Sequence, residues 1–454
     1  MNHPQGSRFP RPSAPAPVAA AAAGRPVDEA ANQRLALKMR LHQQLVDAIN
    51  LSAIDKLAPD DFRRQVGDII RELLGKEQMP LNLRDQNQLI GDIVDEVLGY
   101  GPLEPLLKDA TVSEILVNTH AQVIVERFGK LELTAVRFKD DRHLLRIIHK
   151  MVGNVGRRID ESQPLVDARL ADGSRVNAVI PPVAVDGPQL SIRKFSRTPY
   201  SLERLIEGGT LCREMAEILD AIVAGKLNLL ISGGTGSGKT TMLNAMSSAI
   251  GHGERIVTIE DAAELQLQQP QVARLETRPA NVEGKGEVTQ RDLVKNALRM
   301  RPDRIIVGEV RAAEAFDMLQ AMNTGHGGSM STIHANTCRD ALSRLEQMIG
   351  MAGIEMSPRT IRAQIASAIQ VVIQLERMSD GGRRLISLQE IIGMEGDIVM
   401  MSEIFQFKRK GIDAQGIVQG QFWATGIRPQ FLRDLEDRGI TLRKTMFSPD
   451  RPLA

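Results

Sequence analysis

The stretch that decides the fold runs Leu227-Asn-Leu-Leu-Ile-Ser-Gly233-Gly-Thr-Gly-Ser-Gly238-Lys239-Thr240-Thr241. An apolar strand candidate, Leu227 to Ile231, leads into a glycine-rich loop, and the loop opens a helix that continues to about Ile250. Gly233, Gly234, Thr235, Gly236, Ser237, Gly238, Lys239 and Thr240, with Thr241 beside them, form a complete phosphate loop in the strand-to-helix setting that such loops require. The residue types explain the chemistry. Glycines let backbone N–H groups close around phosphates, Lys239 reaches the β- and γ-phosphates, Thr240 offers a hydroxyl to Mg²⁺, and the helix N-terminus adds partial positive charge. A glycine-rich turn alone does not need strand, spacing and helix together, so the stretch predicts binding of a nucleoside triphosphate with its metal, ATP and Mg²⁺.

Working outward, helices and strands alternate from Thr210 onward. Ile256 to Glu260, Arg304 to Val310 and Ser329 to Ile333 are strand candidates. Between them lie amphipathic faces such as Leu293, Ala297 and Leu298, and Leu342, Leu345 and Ile349. Ser357-Pro358 starts a further helix, with a serine cap and proline at the first helical position. This order predicts an α/β domain over 210–454, with a parallel sheet covered on both faces.

Upstream the pattern changes to short β-branched runs: Ile115 to Val117, Val123 to Glu126, Leu131 to Val136, Val166 to Leu170, Val176 to Val179 and Leu190 to Phe195. One helix, Asp141 to Val152, interrupts them, and Asp172-Gly173 is a hairpin turn. These features predict an α+β domain over 99–196, followed by a linker over 197–209. Residues 28–98 carry helical periodicity, as in Leu37, Leu41, Leu45 and Ile49, with breaks near Pro59 and from Gly75 to Asn82. About three helices forming a docking bundle are expected there. Residues 1–27 hold six prolines and an alanine tract and read as a disordered tail rather than a signal or transit peptide.

A length of 454 residues allows about three domains. Apolar residues at 42% and charged residues at 25% supply enough material for buried cores. Lys plus Arg (57) almost cancel Asp plus Glu (56), so no global field draws the chain to nucleic acid or to an anionic membrane. Aromatics are only 3%, with Trp423 the single tryptophan, which argues against bases stacking on rings, so no nucleic-acid partner is expected. The two cysteines, Cys212 and Cys338, cannot build a disulfide framework, and no apolar run approaches the roughly 20 residues of a membrane span. A cytoplasmic protein without a transmembrane segment is expected.

Hydrolysis needs acids at the ends of strands beside the loop. Arg304-Ile-Ile-Val-Gly308-Glu309-Val310-Arg311 is an apolar strand ending in a carboxylate, and Gly308 stands where a magnesium-linked aspartate often does. Glu309 is the first choice for the catalytic base. The alternative is Glu260, in Ile259-Glu260-Asp261-Ala-Ala-Glu264, whose three carboxylates could polarise water and hold Mg²⁺, partly through water. In Thr324-Gly-His326-Gly-Gly-Ser-Met-Ser-Thr332-Ile-His334-Ala-Asn336, two histidines flank one short strand and make poor zinc ligands. A γ-phosphate sensor is the better functional reading.

Together these motifs resemble the secretion-superfamily ATPases, the motors of type II secretion, type IV pili and type IV secretion. Ile259 to Glu264 looks like their Asp box and Thr324 to Asn336 like their His box, so Glu260, Glu264, His326 and His334 acquire roles by resemblance. Leu98-Gly-Tyr-Gly-Pro-Leu-Glu-Pro-Leu-Leu107, Ser113 to Asn118, Asp167 to Asn177 and Ser191-Ile-Arg-Lys-Phe195 are similar to the CpaF-like ATPases of the tight-adherence (Tad, Flp) pilus. The resemblance implies a RecA-like ATPase domain, an N-terminal sensing domain that moves against it, and a homo-hexameric ring peripheral to an inner-membrane pilus platform. Some type II relatives carry a four-cysteine zinc module that is missing here, and the helical segment before residue 98 favours Tad over type IV secretion. With ATP between the two domains, Arg169, Arg175 and Arg193 are expected to offset phosphate charge from the side opposite Lys239, and Arg311 follows Glu309.

Overall fold

The computed structural model describes residues 41, 59–76, 82–195, 200–280 and 284–453. The tail expected over 1–27, the first expected helix apart from Leu41, and part of the expected linker lie outside these residues. The chain forms two units, Met1–Pro105 and Leu106–Ala454.

In the first unit, helix α1 (Pro59–Lys76) and helix α2 (Leu83–Leu98) correspond to two of the expected helices. Asn82 caps α2 by accepting the Asp85 N–H at 2.8 Å. Val66 and Ile70 are one helical turn apart on α1 and bury against Leu89, Ile90, Ile93 and Val94 of α2, with Leu41 in the same cluster.

The second unit holds two sheets. The first is antiparallel, in the order β3-β2-β1-β6-β5-β4. Its strands are β1 (Val112–Thr119), β2 (Gln122–Arg127), β3 (Lys130–Leu133), β4 (Leu165–Arg169), β5 (Arg175–Val179) and β6 (Gln189–Arg193). Helix α3 (Asp141–Gly153) is capped by Asp140 and buries Leu144, Ile147, Ile148, Met151 and Val152 at helical spacing. Each strand candidate of this region is present, and Gly173 at φ +92° makes the β4–β5 turn that Asp172-Gly173 predicts.

The second sheet has nine strands, in the order β15-β14-β13-β12-β7-β11-β10-β8-β9. β7 (Leu229–Gly233), β8 (Ile256–Glu260), β9 (Val272–Glu276), β10 (Arg304–Val310), β11 (Met330–Ile333) and β12 (Val371–Arg377) run parallel. Side chains alternate between two cores: Leu229 and Ile231 join one, and Leu230 joins the other. Helix α4 (Lys239–Ser247) follows β7, and β11 separates β7 from β10, so the strand of the phosphate loop and the strand of Glu309 are not adjacent. The fold is α/β and RecA-like.

The expectation of a wholly parallel sheet holds for its centre and fails at one side. β13 (Arg383–Glu395), β14 (Ile398–Ile412) and β15 (Val418–Ala424) extend it antiparallel. Bulges at Gln374/Leu375, Leu388/Gln389 and Ile391/Gly393 interrupt the two-residue alternation that would mark these strands in the sequence. No helix among the described residues is long and apolar enough to cross a membrane.

Candidate nucleotide site

The phosphate loop is shaped by backbone demands that only glycine meets. Gly236 and Gly238 sit at φ +69° and +95°, and Gly238 caps the start of α4. A Cβ on Gly233 would lie 2.4 Å from Ser237 Oγ and 2.6 Å from the Leu375 carbonyl oxygen. Lys239 Nζ donates to the carbonyls of Gly233 and Gly234 at 3.0 Å each, and it lies 3.3 Å from His334 Nδ1. Burial pushes the Lys239 pKa down to about 8, against the pull of Glu309. The loop is therefore held by its own lysine, whose ammonium donates to two loop carbonyls.

At the C-terminal ends of the neighbouring strands a charged chain runs from Lys239. Glu309 Oε1 lies 2.9 Å from His334 Nε2, and its Oε2 accepts from Arg311 at 2.8 Å. Arg311 reaches on to Asp261 Oδ2 at 3.1 Å. Burial raises the Glu309 pKa, but Arg311, His334 and Lys239 together outweigh it and hold the carboxyl below its usual range. Burial and then Lys239 push His334 down, which favours the neutral imidazole.

Glu260 is different. It is buried, its Oε2 accepts the N–H groups of Glu264 and Leu265 at 2.7 and 2.8 Å, and its Oε1 is buried without a hydrogen-bond partner. Burial, only partly offset by those two donors, pushes its pKa up to about 7. The structure also gives Gly308 a physical reason, because a Cβ there would lie 2.9 Å from Glu260 Cγ. The missing side chain on β10 leaves room for the glutamate of β8.

The three arginines of the six-stranded sheet stand side by side. Arg169 on β4 is directly opposite Arg175 on β5, which is directly opposite Arg193 on β6. Aligned like charges repel, and carboxylates of the other sheet relieve them. Arg175 and Arg193 approach Glu264 Oε1 at 3.2 and 3.7 Å, and Arg169 bonds Glu276 Oε2 at 2.6 Å and the Ala263 carbonyl at 2.7 Å. Arg175, Arg193 and Glu264 line one cleft with Thr240, Thr241, Asn244, Phe195 and Tyr200.

Of the two histidines, one is elsewhere. His334 follows β11 and sits at the C-terminal edge of the sheet beside Lys239, whereas His326 precedes β11, at the opposite edge. There its Nδ1 lies 3.2 Å from the Ala321 carbonyl of helix α5 (Glu314–Asn323). The expectation of a phosphate-sensing pair is corrected for His326, because the strand between the two residues sends them to opposite ends. Sequence reasoning missed Glu276, which lies on the edge strand β9, and Asn244, which carries only the signal of sitting about one helical turn beyond Lys239 and Thr240.

The residues fit a nucleotide with its metal. A Cβ on Gly234 would meet open space, Ser237 Oγ and Glu260 Oε1 are buried polar atoms without partners, and cationic groups converge from two sides. Among the described residues no group of three or more His, Cys, Asp or Glu could hold a metal unaided. Mg²⁺ would be held by Thr240, phosphate oxygens and water, and Glu260 and Glu309 are the carboxylates expected at its outer shell.

A model of the type II/IV secretion system protein family matches residues 96–412. The chain belongs to that family and is one of its ATPases. A protein of Mycobacterium tuberculosis named for conjugal transfer is 39% identical over 332 residues, covering 72% of this chain and 92% of the relative. A type IV secretion system protein VirB11 of Bartonella quintana is 32% identical over 320 residues, covering 61% of this chain and 88% of its own length. Among solved structures, the VirB11 ATPase of the Brucella suis type IV secretion system in complex with sulphate shares 29% identity with a TM-score of 0.35, covering 63% of this chain and 94% of that one. The family model and the relative of Mycobacterium tuberculosis bear out the secretion-ATPase part of the resemblance. The names of the relatives belong to conjugal transfer and type IV secretion and do not reach the Tad branch.

Proposed function

We propose that this ATPase powers macromolecular traffic through a type IV secretion-like machine, working as a homo-hexamer at the cytoplasmic face of the inner membrane. The observation that carries the reading is the cleft that Thr240 and Thr241 of the phosphate-loop helix share with Arg175 and Arg193 of the other sheet. A nucleotide bound there touches both sheets, so the loss of its γ-phosphate changes the force between them. The names of the relatives favour type IV secretion over the Tad pilus. The family model begins at residue 96, and the helical unit upstream of it is the observation that keeps pilus assembly as the second reading.

In the mechanism we propose, Lys239, the loop amides and the α4 N-terminus bind the phosphates, and Thr240 would hold Mg²⁺, which would neutralise phosphate charge when bound. Glu260 takes the proton of the attacking water, because a carboxyl with a pKa of about 7 and one free oxygen is a better base than one held in ion pairs. Glu309, held by its bonds to His334 and Arg311, then orients the attacking water and would face the outer shell of the metal. Arg175 and Arg193 leave Glu264 for the phosphate and stabilise the charge that develops on it. Lys239→Ala is expected to lose nucleotide binding. Glu260→Gln should bind ATP and lose about a hundredfold or more in kcat, with Glu309→Gln less affected. Wild-type binding by Lys239→Ala, followed by equilibrium titration, would overturn the nucleotide reading, and normal turnover by Glu260→Gln would return the base to Glu309.

A further inference from the structure

Two hairpin turns meet behind the phosphate loop. Phe128-Gly129 joins β2 to β3 in the six-stranded sheet, and residues 378–382 join β12 to β13 in the nine-stranded sheet. Glycines set how closely they approach: a Cβ on Gly129 would lie 2.9 Å from the Gly381 carbonyl oxygen, and one on Gly381 would lie 3.4 Å from the carbonyl oxygens of Phe128 and Gly129. Phe128 itself is held at φ +50°, a conformation that non-glycine residues rarely take.

Around this contact three side chains link the sheets. Glu126, which is buried, faces Arg377 at 3.7 Å and Arg383 at 3.8 Å, and Arg377 also donates to the Gly129 carbonyl. The same two arginines lie against the phosphate loop, and neither lines the cleft of Thr240 and Thr241. A Cβ on Gly236 would lie 3.3 Å from Arg377 Nη1, and one on Gly238 would lie 3.2 Å from Arg383 Cδ. Arg383 Nε donates to the Gly236 carbonyl at 3.0 Å.

That carbonyl shares a planar trans peptide with the Ser237 N–H, which points the opposite way. A charge-assisted bond to the oxygen fixes the peptide plane and so fixes where the N–H is aimed. In this structure the Ser237 N–H makes only a long bond of 3.4 Å, to the Gly234 carbonyl, and a phosphate oxygen would take it readily. We propose that Arg383 is a positioning residue for phosphate binding, held by Glu126 with Arg377, and that the β2–β3 turn thereby reports the position of the six-stranded sheet to the loop. Arg383 acts through the Gly236–Ser237 peptide and not on the nucleotide itself. The ligand class is a nucleoside di- or triphosphate, because the peptide it orients serves the phosphates common to both; the inference rests on the nucleotide reading of the loop.

The test uses the full chain and equilibrium titration with fluorescent analogues of ATP and ADP, alongside melting curves. Arg383→Ala is expected to weaken both nucleotides about tenfold, and Glu126→Gln about threefold. Arg383→Lys keeps a donor and should recover most of the affinity. The double variant Arg383→Ala/Glu126→Gln should bind no worse than Arg383→Ala alone, because Glu126 acts through the arginine. Should Arg383→Ala fail to fold, Glu126→Gln and Arg383→Lys carry the same comparison. Wild-type affinity in Arg383→Ala, or fully additive losses in the double variant, would overturn the inference. Lys239→Ala separates the two levels: if it binds normally the nucleotide reading falls, whereas if it is dead and Arg383→Ala is normal only this inference falls.

Discussion

Two seams join the six-stranded sheet to the nine-stranded one, and they have opposite polarity. In the first, Arg169, Arg175 and Arg193 of the smaller sheet face Glu276 and Glu264 of the larger. In the second, Glu126 of the smaller sheet faces Arg377 and Arg383 of the larger. The first seam borders the cleft with Thr240 and Thr241, and in the mechanism proposed above an incoming phosphate competes with Glu264 for its arginines. None of the three side chains of the second lines that cleft, so a phosphate bound there does not compete with Glu126 for its arginines. On the proposed mechanism the first seam exchanges partners with substrate while the second holds a fixed distance, much as a latch differs from a hinge.

The largest way to break this comparison is to remove the arginines that substrate is meant to capture. Arg175→Ala/Arg193→Ala is expected to lose about a hundredfold or more in kcat, with nucleotide affinity changed far less, because those charges matter most as the phosphoryl group departs. Steady-state phosphate release and equilibrium titration on one preparation check the split. A loss confined to affinity would make the first seam behave as the second is expected to. A smaller effect is expected at Glu264, the anion that the phosphate replaces. Glu264→Gln removes the competitor of substrate, and KM for ATP should fall about threefold while kcat stays within a factor of about two. A raised KM would mean that Glu264 presents the arginines rather than restraining them.

The seams were unequally legible in the sequence. Most of the first could be anticipated because its arginines fall on recognisable strands and Glu264 follows the apolar strand β8, whereas Glu276 on the edge strand β9 carried no such signal. Nothing local marks the second, since Glu126 and Arg383 are separated by most of the second unit and join only when two hairpin turns touch. Pairings of that kind depend on register and turn geometry, which the bulged strands β12 to β14 conceal. The phosphate loop, β8, β10 and β11 were readable for the opposite reason: fully buried parallel strands are short continuous apolar runs with charged residues at their ends. His326 shows the limit of reading a motif as one object. It lies only eight positions before His334, yet a four-residue strand places the two at opposite edges of the sheet.

The smallest expected effect concerns the acid beneath the first seam. Glu260 accepts the Glu264 N–H at 2.7 Å and so fixes the backbone of the residue that faces Arg175 and Arg193. Its pKa is raised from 4.5 to about 7 in the folded chain. A raised folded pKa means that the native state holds the proton more tightly than the unfolded one, so its contribution to stability is fully present below about pH 4.5 and is lost as the pH rises through 7. At pH 8 the wild-type chain bears the cost of a buried carboxylate with one unpaired oxygen. Glu260→Gln does not titrate, and its amide oxygen still accepts the two N–H groups. The nucleotide-free variant should therefore melt higher than wild type by about 2 °C at pH 8, and the two should converge at pH 5. A difference independent of pH would show that the carboxyl is already ionised at pH 5, and it would remove the elevated pKa on which the choice of Glu260 over Glu309 depends.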